Sequence, residues 1–371
     1  MTAMERRHHR RSRRAVRPAT VLACLAMLVV PALPAAAADH GRPSGDVSTA
    51  ARGDQRDLDA EIDALRDTPD PGPQQGYPLP GLVTGDLRAH DPSMIRTPEG
   101  YRLFATHDGI QLRTSPDRVD FRRNAAALAS IPQWVYDRSP GGDVWAPDIS
   151  YHDGTYWLYY AASTFGSNNS AIGLATSTSG EPGSWRDRGV VYSTNSGSDH
   201  NAIDPSLLVA NGNWWLSLGS HWTGIKMIRL DPATGLRHPT DRTVHNLASR
   251  PSAGGAIEAP YILERGGDYY LFVSFDRCCA GTDSTYRIMV GRADNPTGPY
   301  YDRNGTPMTS GGGTQILGSH QNIIGPGGQS VLRDSDGDLL VYHYYDANNS
   351  GIERLGVNLL GWDDQGWPYV Y

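Results

Sequence analysis

The sequence predicts an all-β fold, and within that class a five-bladed β-propeller. Three observations lead there. From Tyr77 onward, short runs of alternating apolar and aromatic residues are separated by Gly, Asn, Asp and Pro every eight to twelve residues or so. A segment opening recurs as Asp91-Pro92-Ser93-Met94, Ala146-Pro147-Asp148-Ile149, Asp204-Pro205-Ser206-Leu207, Ala259-Pro260-Tyr261-Ile262 and Gly328-Gln329-Ser330-Val331. The four prolines stand 55, 58 and 55 residues apart, and Gln329 lies 69 beyond Pro260. Repeats of that length with three or four strands each read as propeller blades, and five openings give five blades. A β-sandwich also has short strands, but it offers no reason for the repeated opening.

Each unit can be followed along the chain. The openings lead into second strands at Tyr101–Ala105, Tyr156–Tyr160, Trp214–Leu218, Tyr269–Val273 and Leu339–His343, with a Gly- or Asp-bearing turn between. Third runs such as Ala171–Ala175 and Arg287–Gly291 follow. Asp334-Ser335-Asp336-Gly337-Asp338 has part of a calcium-loop pattern. It lacks the distal Glu and sits between two strands, so a hairpin turn is expected.

The N-terminus reads differently. Arg6, Arg7, Arg10, Arg11, Arg13, Arg14 and Arg17 precede an apolar run from Val21 to Leu33, and Ala35–Ala38 follow. A basic stretch, a short apolar run and small residues make a secretory signal over residues 1–38. Ser12-Arg13-Arg14 leaves a twin-arginine route open, and Cys24 a lipoprotein cleavage, with the alanines preferred. Residues 39–76 are polar and rich in Gly, Pro, Asp and Arg, which predicts a flexible leader with one short helix around Asp57–Leu65. Residues 77–371 form the propeller, and the protein is expected outside the cell.

Removing residues 1–38 takes away seven Arg and one Glu, so the formal charge moves from −7 to −13. That excludes a nucleic-acid binder, whose affinity rests on neutralising phosphates. The apolar run is too short to span a bilayer comfortably, so no membrane anchor is expected. The 19 Tyr and 9 Trp against 5 Phe suit a half-wet cleft facing sugars, although strands favour Tyr anyway. Cys278 and Cys279 are adjacent and cannot staple distant segments; they form either a vicinal disulfide or two buried thiols.

Chemistry enters through the openings. Innermost strands begin near the propeller axis, so their first residues converge at one end of the channel. Three openings place a carboxylate there, Asp91, Asp204 and Glu258, while the other two place Ala146 and Gly328. Carboxylates gathered on one axis repel, so stability alone does not select them. Repulsion also separates their proton affinities, which lets one act as acid and another as base.

At these residues the chain resembles the endo-α-1,5-L-arabinanases of glycoside hydrolase family 43. The resemblance rests on His90-Asp91-Pro92-Ser93, Trp145-Ala146-Pro147-Asp148, Asn201–Pro205, Gly219–Ile225 and Ile257–Tyr261. It runs from about Gly81 to the C-terminus. It implies that Asp91 is the general base, Glu258 the general acid, and Asp204 the residue that tunes Glu258 and orients substrate. It also implies inversion, with room for a water and a carboxyl separation of roughly 6.5–9.5 Å.

Trp145 and Phe165 offer flat faces for a furanose ring, and Asn169, Asn201, Ser220, His221 and Trp222 are candidate subsite residues. Trp145 reads equally well as a wedge between blades, and Ser220-His221-Trp222 as a strand end. Relatives also carry paired cysteines near the groove. The chemistry needs no cofactor. The family pattern carries Gly-Pro-Gly-His at the fifth blade, with the His near an axial ion. Here Gly325-Pro326-Gly327-Gly328 puts Gly in that place, so a structural calcium ion at the axis has no evident ligand, with His320 and His343 as substitutes.

The expected ligand is plant cell-wall polysaccharide, arabinan or its oligosaccharides, bound by a monomer. Exo-acting α-L-arabinofuranosidases and β-xylosidases of the same fold share the three carboxylates. A non-catalytic carbohydrate-binding propeller would keep the aromatics without needing all three acids. Fructan-cleaving propellers fit less well, because Asn-Asp-Pro and Arg-Asp-Pro motifs are missing where His90-Asp91-Pro92 and Ile203-Asp204-Pro205 stand.

Overall fold

A computed structural model describes residues 76–371. The signal, the leader up to residue 75 and the short helix expected around Asp57–Leu65 lie outside the described residues. Five sheets form, each from one contiguous stretch of chain. Blade I runs from β2 (Ser93–Thr97) to β5 (Asp120–Arg123), and blade II from β6 (Trp145–His152) to β9 (Arg186–Ser193). Blade III runs from β10 (Ser206–Ala210) to β13 (Val244–Ala248), and blade IV from β14 (Ile257–Arg265) to β17 (Thr314–Leu317). Blade V runs from β18 (Ile323–Asp334) to β21 (Pro368–Val370). Within each blade consecutive strands pair antiparallel. A fifth strand, β1 (Thr84–Gly85), adds parallel to the outer edge of blade I.

Strand alternation explains why the second strands are apolar on both faces. In β15 (Asp268–Phe275), Tyr269, Leu271 and Val273 enter the core shared with blade III. Tyr270 and Phe272, pointing the other way, enter the core shared with blade V. The two-residue period thus sends successive side chains into two different cores. The same partition places Leu158 between blades I and II and Tyr159 between II and III. Burying a Leu or Phe side chain contributes about 1.5–3 kcal/mol, so each blade is held mainly by its two neighbours.

The ring closes where the last blade meets the first. Leu103, Phe121, Val341 and Leu355 share one core there. The segment before β2 crosses the seam: the Gly81 amide donates to the Val357 carbonyl at 2.8 Å, and the Leu355 amide to the Leu87 carbonyl at 2.8 Å. The Asp334–Gly337 pair closes the expected hairpin between β18 and β19 (Gly337–Asp346). Its carboxylates serve the seam: Arg118 of blade I donates to Asp334 at 2.9 Å and to Asp336 at 2.8 Å. Tyr101, with the Ser335 amide and Arg118, holds Asp334 below the usual carboxylate range despite partial burial, and Arg118 does the same for Asp336.

The blade entrances share one backbone device. Asp91, Ala146, Asp204, Ala259 and Gly328 all have left-handed φ, between 44° and 58°. That region is uncommon for residues other than Gly. The kink recurs at the same point of every blade and turns the chain onto the axis. It also corrects one expectation. The position in blade IV equivalent to Asp91 and Asp204 is Ala259, so Glu258 lies one residue before it, in register with His90 and Ile203. The ladder slips between Glu258 and Tyr261, and an irregularity of this kind re-aims a side chain. Among the described residues, no helix is long and apolar enough to cross a membrane.

Candidate active site

The entrances open into a cleft of about 1270 Å³ that contains Asp91, Asp204 and Glu258 together. Its size exceeds the roughly 300–1,000 Å³ that encloses one drug-sized ligand, so it suits an oligomer. Blades III and IV are neighbours, which sets Asp204 beside Glu258. Blade I is separated from blade IV by blade V, so Asp91 faces the pair across the axis.

Asp91 is held from several sides. Thr106 Oγ1 donates to Asp91 Oδ2 at 2.8 Å and itself accepts from the Ala146 amide at 2.8 Å. The Asp91 amide donates to His343 Nδ1 at 3.1 Å. An accepting Nδ1 places the His343 proton on Nε2. Burial, with His90 alongside, pushes the proton affinity of His343 well below the usual imidazole range, so the ring is neutral. His90 stacks on it at 4.0 Å and brings Nε2 to 3.5 Å from Asp91 Oδ2.

Glu258 accepts from Ser220 Oγ at 2.7 Å, and His221 Nε2 lies 3.8 Å from its other oxygen. Asp204 accepts from the Ala259 amide at 3.0 Å. Burial first, then the charges of Glu258 and Asp91, push Asp204 well above the ordinary carboxylate range. Burial first, then the charges of Glu258 and Asp204, raises the Tyr286 hydroxyl, which lines the same cleft. The crowded Asp204–Glu258 pair therefore favours holding a proton. The arrangement sets one carboxylate, Asp91, opposite a proton-holding pair, the layout that general acid–base cleavage requires.

The fifth entrance is shaped by the departure seen in the sequence. A Cβ on Gly328 would stand 2.4 Å from Asp91 Oδ1 and 2.7 Å from His343 Cε1, so no side chain fits. Gln329, in the place of the proline, donates to the Ala259 carbonyl at 2.7 Å and accepts from Ser274 Oγ at 2.8 Å. It ties blade V to the residue after Glu258. His343 stands at the axis, whereas His320 is engaged by the Gly318 and Pro78 carbonyls and takes no part. His90, His343 and Cys278 bring ligand-type atoms within 4.8 Å of one another. Cys278 is tied to Cys279 in a vicinal disulfide, and His343 Nδ1 is occupied by the Asp91 amide. Nitrogens and a disulfide sulfur do not assemble the six to eight oxygens that calcium takes. These three side chains supply none of those oxygens, and the chemistry below passes through no ion.

The remaining predicted residues separate into three groups. Trp145, Asn201, Ser220, His221 and Trp222 all line the cleft. Trp145 Nε1 donates to Asp143 at 2.8 Å, which fixes the indole plane. Asn201 is buried and accepts from Ser170 Oγ at 2.6 Å, so its carbonyl supports the wall. Phe165 projects from the cleft rim, 81% exposed. Asn169 is not brought into the cleft; its side chain meets Arg138 at the rim. Sequence reasoning missed Thr106, His107, Asp143 and Tyr286. All four sit on loops outside the repeated openings, where no motif marks them. The disulfide lines the cleft beside His90, with the Cys279 amide donating to the Tyr345 hydroxyl at 2.9 Å.

Comparison with known proteins agrees with this geometry. The model of "Glycosyl hydrolases family 43" matches residues 83–368. An extracellular endo-α-(1→5)-L-arabinanase of Bacillus subtilis is 43% identical over 286 residues, 75% of this chain and 86% of that protein. An extracellular exo-α-(1→5)-L-arabinofuranosidase of Cellvibrio japonicus is 39% identical over 76% of this chain and 86% of its own length. Among solved structures, an endo-arabinanase from Bacillus licheniformis is 45% identical with a TM-score of 0.73, covering 78% of this chain and 99% of that one.

Proposed function

Since this chain belongs to glycosyl hydrolase family 43, we propose that it is an extracellular hydrolase of α-1,5-linked L-arabinan that cuts internal bonds with inversion. The observation that carries the reading is the placement of Asp91 across the axis from the Asp204–Glu258 pair, in one cleft large enough for several sugars. The names of the relatives support arabinan as substrate and an extracellular setting. Residues 1–38 then serve as the export signal, and the enzyme works as a monomer.

In the proposed reaction a furanosyl unit lies between Asp91 and Glu258. Glu258 delivers a proton to the leaving glycosidic oxygen while Asp91 removes one from a water on the opposite face. The C–O bond to the leaving group breaks as the water oxygen bonds to the anomeric carbon, and configuration inverts. Thr106 and the neutral His343 hold Asp91 in place without placing a cation against it. Ser220 orients Glu258. Asp204 keeps a proton within the acid pair, because two adjacent buried charges are disfavoured.

Endo action rests on the open cleft, across which a polymer can lie over Trp145 and Phe165. The exo-acting relative makes release of single sugars the second reading. Early digests of linear arabinan decide between them. A ladder of short oligosaccharides with an early fall in viscosity is expected, and arabinose as the sole early product would mean exo action. The first-formed anomer, read by NMR, should be inverted; a retained anomer would overturn the roles of Asp91 and Glu258.

A further inference from the structure

One carboxylate outside the catalytic group joins two loops from different blades. Asp143 Oδ2 accepts from Trp145 Nε1 at 2.8 Å and lies 2.8 Å from His107 Nδ1, while Oδ1 lies 3.0 Å from the same nitrogen. His107 belongs to the loop after β3 (Gly100–Ala105) in blade I, next to the Thr106 that holds Asp91. Asp143 and Trp145 lead into blade II. The His107 backbone is fixed separately, its amide donating to the Val144 carbonyl at 2.9 Å with φ at 77°.

An ionised carboxylate only accepts, so His107 Nδ1 must carry a proton toward Asp143. That leaves Nε2 as the ring nitrogen for another partner. The His107 side chain is 48% exposed and lines the cleft with Trp145 and Asp91. With Nδ1 turned to Asp143, Nε2 is left for the cleft, and it donates in the protonated ring, the form that the contact with Asp143 favours. A flat indole face and a hydrogen-bond donor thus stand side by side, locked to each other by one acid. A single sugar ring needs that pair of contacts, an apolar face to lie on and a donor for a hydroxyl.

We propose that His107 is a substrate-binding residue, donating from Nε2 to a hydroxyl of the furanose that stacks on Trp145, and that Asp143 is the positioning residue that sets both. The proposal rests on the arabinan reading above and names the subsite on the Trp145 side of the cleft. A charge-assisted hydrogen bond contributes about 1.5–3 kcal/mol, or on the order of tenfold to a hundredfold in affinity.

The test uses calorimetric binding of a linear α-1,5-arabino-oligosaccharide to the full chain carrying Glu258→Gln, so that ligand survives. Adding His107→Ala should weaken binding at least about tenfold, and His107→Gln, whose amide nitrogen can still donate, should recover part of the loss. Adding Asp143→Ala should weaken binding and also shift the Trp emission, because the indole loses its acceptor. With Glu258 intact, His107→Ala should raise KM by more than it lowers kcat. Equal affinity of the His107→Ala, His107→Gln and parent proteins would overturn the proposal. A folded Glu258→Gln parent that binds xylo-oligosaccharide but no arabino-oligosaccharide would instead overturn the substrate reading and this proposal with it.

Discussion

Asp204 accepts a hydrogen bond from the amide of Ala259 at 3.0 Å, and Ala259 directly follows Glu258. The innermost strands of blades III and IV are therefore joined at the point where the acid emerges. That bond favours the ionised form of Asp204, but burial and the charges of Glu258 and Asp91 outweigh it, and the residue is pushed well up. One contact thus positions Glu258 through its neighbour while the pair keeps a proton.

Asp204→Asn preserves an oxygen for the Ala259 amide and removes a charge. The pair then gives up its last proton at lower pH, so the alkaline limb of the kcat/KM profile should move down. An unchanged limb with a loss only in substrate affinity would make Asp204 a binding residue.

Glu258→Gln and Asp91→Asn are nearly isosteric and should leave the fold intact. Each should lower kcat on arabinan by at least about a hundredfold, the low end for a positioned acid or base. Near-normal turnover in either variant would remove that residue from the mechanism.

Asp148 governs stability rather than chemistry. It lies inside the channel, buried, with one oxygen accepting from the Leu207 amide at 2.8 Å. Burial raises its pKa from 3.8 to about 7. The folded state therefore binds more protons than the unfolded state between those values, and stability falls as pH rises through them. The effect of this one group reaches about 4 kcal/mol by pH 7. Asp148→Asn keeps the acceptor and removes the titration, so unfolding midpoints measured from pH 4 to 7 should decline less in the variant. Parallel curves for variant and parent would contradict that account.

The propeller was legible because its cause is written locally. Alternation, turns and the openings at Pro92, Pro147, Pro205 and Pro260 each repeat in the chain, and five copies can bury their faces only by closing a ring. The three carboxylates were legible for the same reason, since repeat positions map to one mouth. The reading placed Glu258 in the wrong phase, although the offset is written in the chain: Glu258 stands two residues before Pro260, whereas Asp91 and Asp204 directly precede their prolines. Thr106, His107, Asp143 and Tyr286 were missed because they reach the cleft from loops outside the repeated openings. Asn169 was a candidate subsite residue, but Arg138 from another loop engages its side chain, a contact between loops that the sequence does not mark.

Gly328 marks where a small residue is required by its neighbours as much as by its φ of 58°. A Cβ there would fall 2.4 Å from Asp91 Oδ1 and 2.7 Å from His343 Nδ1. Neither neighbour can yield freely. Asp91 is pinned through Thr106 and its own amide, and His343 is fully buried between His90 and Tyr286. Gly328→Ala should therefore displace Asp91, the only nearby group with solvent beside it. The expected result is a fall in kcat of about tenfold or more. The cost to stability should be far smaller, about 1 kcal/mol for a left-handed non-Gly residue. Stopped assays on arabinan beside thermal melts separate the two effects. If kcat holds while the melting temperature drops, the Cβ was absorbed by the blade and Asp91 did not move. If kcat drops and the melt holds, the empty volume at Gly328 is what keeps the base in place.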